Sequence, residues 1–217
     1  MQIKLVSITH PVVSGIQEPE QLVAYIARVS NPNNQFNSET APKLLSFLIK
    51  HKHWSPFEMV DMTYEIVTSR AIAAQILRHR SFSFQEFSQR YSAATSFEDI
   101  ELRLQGEKNR QVGEQLVDME SKDGRYATFI ITTLLNECKS VYNALLKLGV
   151  AKEIARMILP LTTTTTLYMK GNLRSWIHYI DLRSESNTQK EHRMIAQSIK
   201  NDFMVHFPNI SQALEWK

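Results

Sequence analysis

The densest run of chemistry-bearing side chains is Arg78-His79-Arg80-Ser81-Phe82-Ser83-Phe84-Gln85-Glu86-Phe87-Ser88-Gln89-Arg90-Tyr91. Guanidinium forks bind phosphate or ring carbonyls in bidentate fashion. Serine hydroxyls and backbone N–H groups complete an anion nest, and Gln and Glu can read the edge of a nucleobase. If Ser83 to Tyr91 is extended, side-chain alternation puts Glu86, Ser88 and Arg90 on one face. On composition alone, a solvated basic turn accounts for the run equally well.

Other constellations are weaker. His51 and His53 have metal-pair spacing but no third ligand nearby in sequence. A metal-dependent nucleotide hydrolase built on that pair stays open as a rival. So does a nucleic-acid module that stacks bases on Phe82, Phe84, Phe87 and Tyr91, although a net charge of +3 is low for one. Ser88 has no evident acid–base triad and reads as a ligand-binding hydroxyl. Glycine occurs at 15, 106, 113, 124, 149 and 171, so neither GxGxxG nor a P-loop is present. Phosphates would have to be held by arginines and helix N-termini.

A chain of 217 residues, 43% hydrophobic and 22% charged, has the length and balance of one globular domain. A single cysteine excludes a disulfide framework and a cysteine-based zinc site, and a reducing compartment suits it. No apolar run reaches membrane-spanning length, and the first residues lack signal-peptide character. A cytoplasmic protein is expected, in a host's cytoplasm if the chain is viral.

The elements that must position these residues follow from periodicity. Residues 2–9 read as a strand, and Leu22, Val23, Ile26 and Val29 as a helix beginning near Glu18-Pro19. A second helix carries Leu44, Leu45, Leu48 and Ile49. Val60, Met62, Tyr64 and Ile66 alternate as in a half-buried strand, and Ser69 can cap a helix running to about Arg78. Residues 92–123 are the least patterned and read as a loop-rich insertion with short helical pieces. Ile131, Leu134, Leu135, Cys138, Val141, Tyr142 and Leu145 mark a long helix whose stripe is expected in the core, with Cys138 a buried, inert thiol; Gly149 ends it. A short helix runs from Lys152 to about Leu159, where Pro160 stops it, and the threonines at 162–166 favour a strand. Asn172 can cap the helix ending near Arg183. Thr188 and Glu191 suggest a capping box for a last helix, with His192 and His206 expected on its surface. The whole predicts one α+β domain over 1–217, helices packed on a small, mostly antiparallel sheet.

Several segments, taken in order, resemble the flavin-dependent thymidylate synthases. Arg78-His79-Arg80, seven residues and Ser88 match that family's signature. Ala27-Arg28-Val29-Ser30, His51-Lys52-His53-Trp54-Ser55-Pro56-Phe57-Glu58, Ala155-Arg156-Met157-Ile158-Leu159-Pro160-Leu161 and Asn172-Leu173-Arg174-Ser175 followed by Leu182-Arg183 resemble its other segments. Gln85, Gln89 and His178 stand where Asn, Gly and Asn are common, and 92–123 matches no segment.

The resemblance implies synthesis of dTMP from dUMP, with methylenetetrahydrofolate as carbon donor and FAD, reduced by NADPH, as hydride source. It implies no cysteine nucleophile and a homotetramer with shared sites, acting on a small molecule rather than nucleic acid or membrane. It assigns dUMP to Gln75, Arg78, Glu86, Ser88, Gln89, Arg90, Arg156 and Arg183. It assigns FAD to His53, Ser55, Arg78, His79, Arg80, Glu86, Asn172, Leu173, Arg174 and His178. Arg183 is the expected catalytic residue, suited to charge growing on a uracil carbonyl. No metal is implied. Arg156 as an ion-pair partner and Asn172 as a plain cap remain alternatives.

Overall fold

A computed structural model describes residues 1–93, 96–107 and 109–216. Three of the undescribed positions, Ala94, Thr95 and Lys108, fall in the expected 92–123 insertion, so that reading is tested only on the remainder.

The α+β expectation holds. Strands β1 (Gln2–Ile8), β2 (Asp61–Ser69), β6 (Thr164–Asn172) and β3 (Ser83–Glu86) form one antiparallel sheet in the order β1-β2-β6-β3. Its spine is the β2–β6 ladder, in unbroken register from Asp61↔Asn172 to Ser69↔Thr164. On β2 the period-two pattern buries Met62, Tyr64, Ile66 and Thr68. On β6 it buries Thr165, Leu167, Met169 and Gly171.

Helices α1 (Pro19–Ala27), α2 (Ala41–Lys50), α3 (Arg70–Ile76), α6 (Leu173–Arg183), α7 (Lys190–His206) and α8 (Pro208–Ala213) share a core with the sheet. The Trp176 indole N–H donates to the Met62 carbonyl at 3.2 Å, and the Tyr64 hydroxyl donates to Asp202 at 2.6 Å. Arg28, from the first matched segment, is buried and donates to Asn37 O and Thr40 Oγ1, a structural role.

Four expectations change. Among the described residues of 92–123, no helical piece precedes the long helix α4 (Lys122–Lys147). The described part contains strands β4 (Arg103–Gln105) and β5 (Gly113–Leu116), paired antiparallel. The Thr188/Glu191 capping box does not form, because Thr188 donates instead to the Leu182 carbonyl. His192 is fully buried, on the stripe it shares with Ile195, Ala196, Ile199 and Phe203. The stripe of α4 (Lys122–Lys147) is not core within one chain. Only Gly124 and Tyr142 are buried, Leu134 is 57% exposed and Cys138 is half-buried. Residues at i, i+4 and i+8 share a helix face, so Tyr126, Ile130, Leu134 and Cys138 line up on a side that this chain does not cover.

Gly171 lets the sheet meet the aromatic cluster. Phe82 packs against Trp176 at a ring separation of 4.7 Å, and a Cβ at Gly171 would run into the Phe82 ring. Overpacking of this kind costs about 1–3 kcal/mol. Gly171→Ala should lower the melting temperature by several degrees in a thermal unfolding scan; an unchanged midpoint would show that Phe82 moves freely.

Candidate functional site

The two ends of the β2–β6 ladder launch the site. β2 passes into α3, and Gln75, Arg78, His79 and Arg80 follow at its C-terminal end. β6 passes into α6, where the Asn172 side chain accepts from the Ser175 N–H at 2.9 Å. The cap starts a helix carrying Arg174 and His178 and ending at Arg183. The two segments meet where the Arg183 Nε–H donates to His79 Nε2 at 2.9 Å.

His79 therefore points inward, unlike its neighbours. Its ring stands edge-on to Tyr179 at 4.9 Å. Burial, then the charges of Arg183 and His178, push its pKa down to about 4. It is a neutral acceptor that fixes the Arg183 side chain through Nε. Arg78 and Arg80 are exposed, and neither makes an ion pair among the described residues.

A cleft of about 610 Å³ opens beside the start of α6, lined by residues that include Trp54, Glu58, Asn172, Arg174 and His178. Three of these carry the FAD assignment. Glu58 pairs with Arg174, and both are partly exposed. Ser55 begins a 3-10 turn beside Trp54, while His53 packs its ring near Phe47 and His51 instead of lining the cleft. Leu173 is fully buried, so it can offer a ligand only backbone groups. Trp54, Glu58 and Asp181 are cleft residues that the reading of the sequence did not assign; Glu58 was visible as the last residue of a matched segment.

The dUMP assignment is divided. Glu86 stays with its own sheet, accepting from Thr165 Oγ1 at 2.8 Å and pairing with Arg70 at 3.5 Å. The strand ends there, and the chain turns at Ser88, whose carbonyl accepts from Tyr91 and Ser92 N–H. Glu86, Ser88 and Arg90 thus do not share one strand face, because the chain turns at Ser88 before it reaches Arg90. Ser88 and Arg90 instead border a separate concavity of about 420 Å³ with Tyr91, Lys152 and Glu153, and Arg90 pairs with Glu153 at 3.3 Å. Gln89 is buried, and its Nε2 has no hydrogen-bond partner among the described residues. Arg156, at the end of the short helix α5 (Lys152–Ala155), makes no ion pair there either, against the structural alternative.

The α+β fold offers the exposed Arg78 and Arg80 and a capped helix start, and its sequence has no glycine loop of the dinucleotide-binding kind. The family model for thymidylate synthase complementing protein matches residues 11–209. The chain is 51% identical to a flavin-dependent thymidylate synthase of Synechocystis sp. and 49% identical to a probable one of Paramecium bursaria Chlorella virus 1, each over the full length of both chains. A crystal structure of a UMP/dUMP methylase, PolB from Streptomyces cacaoi, bound with 5-Br dUMP matches with a TM-score of 0.84 at 25% identity. That match covers 99% of this chain and 94% of the other. The chain belongs to the flavin-dependent thymidylate synthase family, whose members are methyltransferases that depend on FAD.

The residues present fit FAD. The cleft at the start of α6 combines a partly exposed guanidinium, a helix N-terminus and a histidine, and Arg78 and Arg80 add exposed cations. That set suits a pyrophosphate and a flavin ring.

The state of His79 has a measurable consequence. Its native pKa lies below the unfolded value of about 6.5, so its neutral form stabilises the fold. That stability is complete above about pH 6.5 and is lost as pH falls towards about 4. His79→Gln keeps an acceptor for Arg183 but cannot take the proton. Its unfolding free energy should fall less steeply between pH 6.5 and 4 than the parent's, by up to about 1.4 kcal/mol per pH unit, as read from denaturant unfolding across that range. Parallel curves for the two proteins would mean that His79 is charged in the native state.

Proposed function

We propose that this chain converts dUMP to dTMP, taking the carbon from methylenetetrahydrofolate and reducing equivalents from NADPH through FAD. The observation that carries the reading is the Arg183–His79 junction, which fixes a guanidinium beside the exposed Arg78 and Arg80. FAD, when bound, supplies the hydride chemistry that no side chain can. Arg78, Arg80 and Arg174 neutralise its pyrophosphate, and Asn172, the Leu173 backbone and His178 border it, with Ser55 and His53 beyond Trp54.

Arg183 spends Nε on His79 and keeps its terminal nitrogens for a uracil carbonyl. A permanent cation held by a neutral acceptor stabilises charge that grows on that oxygen. Ser88 and Arg90 take the dUMP phosphate. The exposed Arg90–Glu153 pair is worth little, so a dianion displaces Glu153 readily. Gln75, Gln89 and Arg156 complete the nucleotide contacts, and Glu86 reaches the ligands from the sheet edge. Cys138 lies on α4, apart from the clefts described, which supports a mechanism without a cysteine nucleophile.

The purified protein should carry flavin absorbance, bleach with NADPH and form dTMP from dUMP and methylenetetrahydrofolate. A folded protein that neither binds FAD nor forms dTMP would refute the reading. Arg183→Ala should reduce kcat about 100- to 1,000-fold while still titrating FAD. Cys138→Ser should remain active, and a folded, yellow but inactive Cys138→Ser protein would restore a thiol mechanism.

The reading includes a homotetramer with shared sites. Its support is the uncovered apolar side of α4 and the separation of the FAD cleft from the Ser88–Arg90 concavity within one chain. It also includes a cytoplasmic location without nucleic-acid or membrane partners. The low net charge and the lone free thiol support this, and no described helix is long and apolar enough to cross a membrane. Light scattering should give about four times the 25.1 kDa chain mass, and Leu134→Glu should lower it. Mixing refolded Arg183→Ala and Arg90→Ala chains should recover activity that neither shows alone; no recovery would assign each site to one chain.

A further inference from the structure

A hydrogen-bonded chain lies behind the site. Gln189 Nε2 donates to Glu191 Oε2 at 2.9 Å, and Gln75 Nε2 donates to Gln189 Oε1 at 2.7 Å. Gln75 Oε1 lies 3.3 Å from His192 Nδ1, and His192 Nε2 lies 3.1 Å from the Tyr179 hydroxyl. An ionised carboxylate can only accept, so Glu191 sets the direction of the whole series. Gln189 must turn its amide N–H towards Glu191, which leaves its oxygen for Gln75. Gln75 must then present its own oxygen to His192. Neutral His192 carries its proton on Nδ1 and accepts from the Tyr179 hydroxyl at Nε2. Reversing any member would oppose two acceptors or two donors.

Both ends of the series are anchored. Glu191 is paired with Arg103 of β4, which also binds Glu101 at 2.6 Å. Burial opposes the charge on Glu191, but hydrogen bonds from Arg103, its own backbone N–H and Gln189 outweigh it and hold the carboxylate below its usual range. At the other end, Tyr179 is fully buried and stands against His79, the partner of Arg183. Burial, then the Arg183 charge, push the His192 pKa down to about 3, so the ring stays neutral.

We propose that Glu191 and His192 are positioning residues that fix the amide orientation of Gln75 towards dUMP, and that the β4–β5 unit, through Arg103, buttresses them. The proposal rests on the assignment of Gln75 to dUMP made above. With one amide hydrogen on Glu191's side of the series and one lone pair on His192, Gln75 keeps one N–H and one lone pair in fixed positions for a ligand. This gives the 101–116 region, which no matched segment explained, a role in the site.

The test uses FAD-loaded full-length protein with dUMP affinity by calorimetry, FAD affinity by titration, and kcat. Gln75→Ala, His192→Phe and Glu191→Gln are made singly, and the first two also together. His192→Phe keeps the ring and removes both bonds; Glu191→Gln keeps the shape and removes the acceptor-only group. Each single variant should weaken dUMP binding about tenfold while FAD affinity stays within twofold. His192→Phe should add nothing further in the Gln75→Ala background, because contacts that act through one residue are not additive.

Unchanged dUMP binding in Gln75→Ala would remove Gln75 from the dUMP site and the proposal with it. Loss in Gln75→Ala alone, with Glu191→Gln unaffected, would keep the assignment and overturn the positioning role. Additive losses, or FAD affinity falling in step with dUMP affinity, would show a structural role only. If His192→Phe fails to fold, the more accessible Glu191→Gln decides alone.

Discussion

The β2–β6 ladder is the constraint on which the rest depends. Its nine paired positions tie residues a hundred apart in sequence into one rigid unit. Because the pairing is antiparallel, α3 and α6 leave from opposite ends. That arrangement brings the residues after α3 back to the end of α6, where His79 meets Arg183. A shift of one residue would invert the faces of both strands. Met62, Tyr64, Ile66, Leu167 and Met169 would then leave the core together. The site inherits its geometry from a register that hydrophobic burial holds.

Charge within the site is divided by burial. His79, Tyr179 and His192 form a neutral, aromatic interior layer, and burial keeps the two histidines uncharged. The permanent cations lie outside it, Arg78 and Arg80 exposed to solvent and Arg174 paired with Glu58. Arg183 sits at the boundary, half-buried and joined to the neutral layer by one bond. A guanidinium in that position loses water on one side without gaining a carboxylate among the described residues.

The single chain leaves two things unfinished. One side of α4 carries Tyr126, Ile130 and Leu134 without cover, and the concavity at Ser88 lies apart from the cleft at Asn172. Exposed apolar side chains aligned on a long helix cost free energy in water. A shared assembly would relieve that cost and complete the site with the same contacts.

Local patterns in the sequence were enough for the β2 alternation, the threonine-rich β6 strand, the α4 periodicity, the Asn172 cap and the arginine-rich segment after α3. Each depends on spacing within a few residues, and spacing survives in a linear text. The order of the matched segments also made the family legible. Tertiary structure decided what those patterns touch. Ser88 and Arg90 left the Glu86 face because the strand ends at Glu86 and the chain turns. The α4 stripe had the period of a buried helix, yet periodicity shows only that one side is apolar, not which surface covers it. His192 was read as exposed because histidine is polar. Its burial depends on Gln75, 117 positions away, and on Tyr179 satisfying both ring nitrogens. No sequence window contains such a pair of partners, and a buried polar side chain is stable only where they converge.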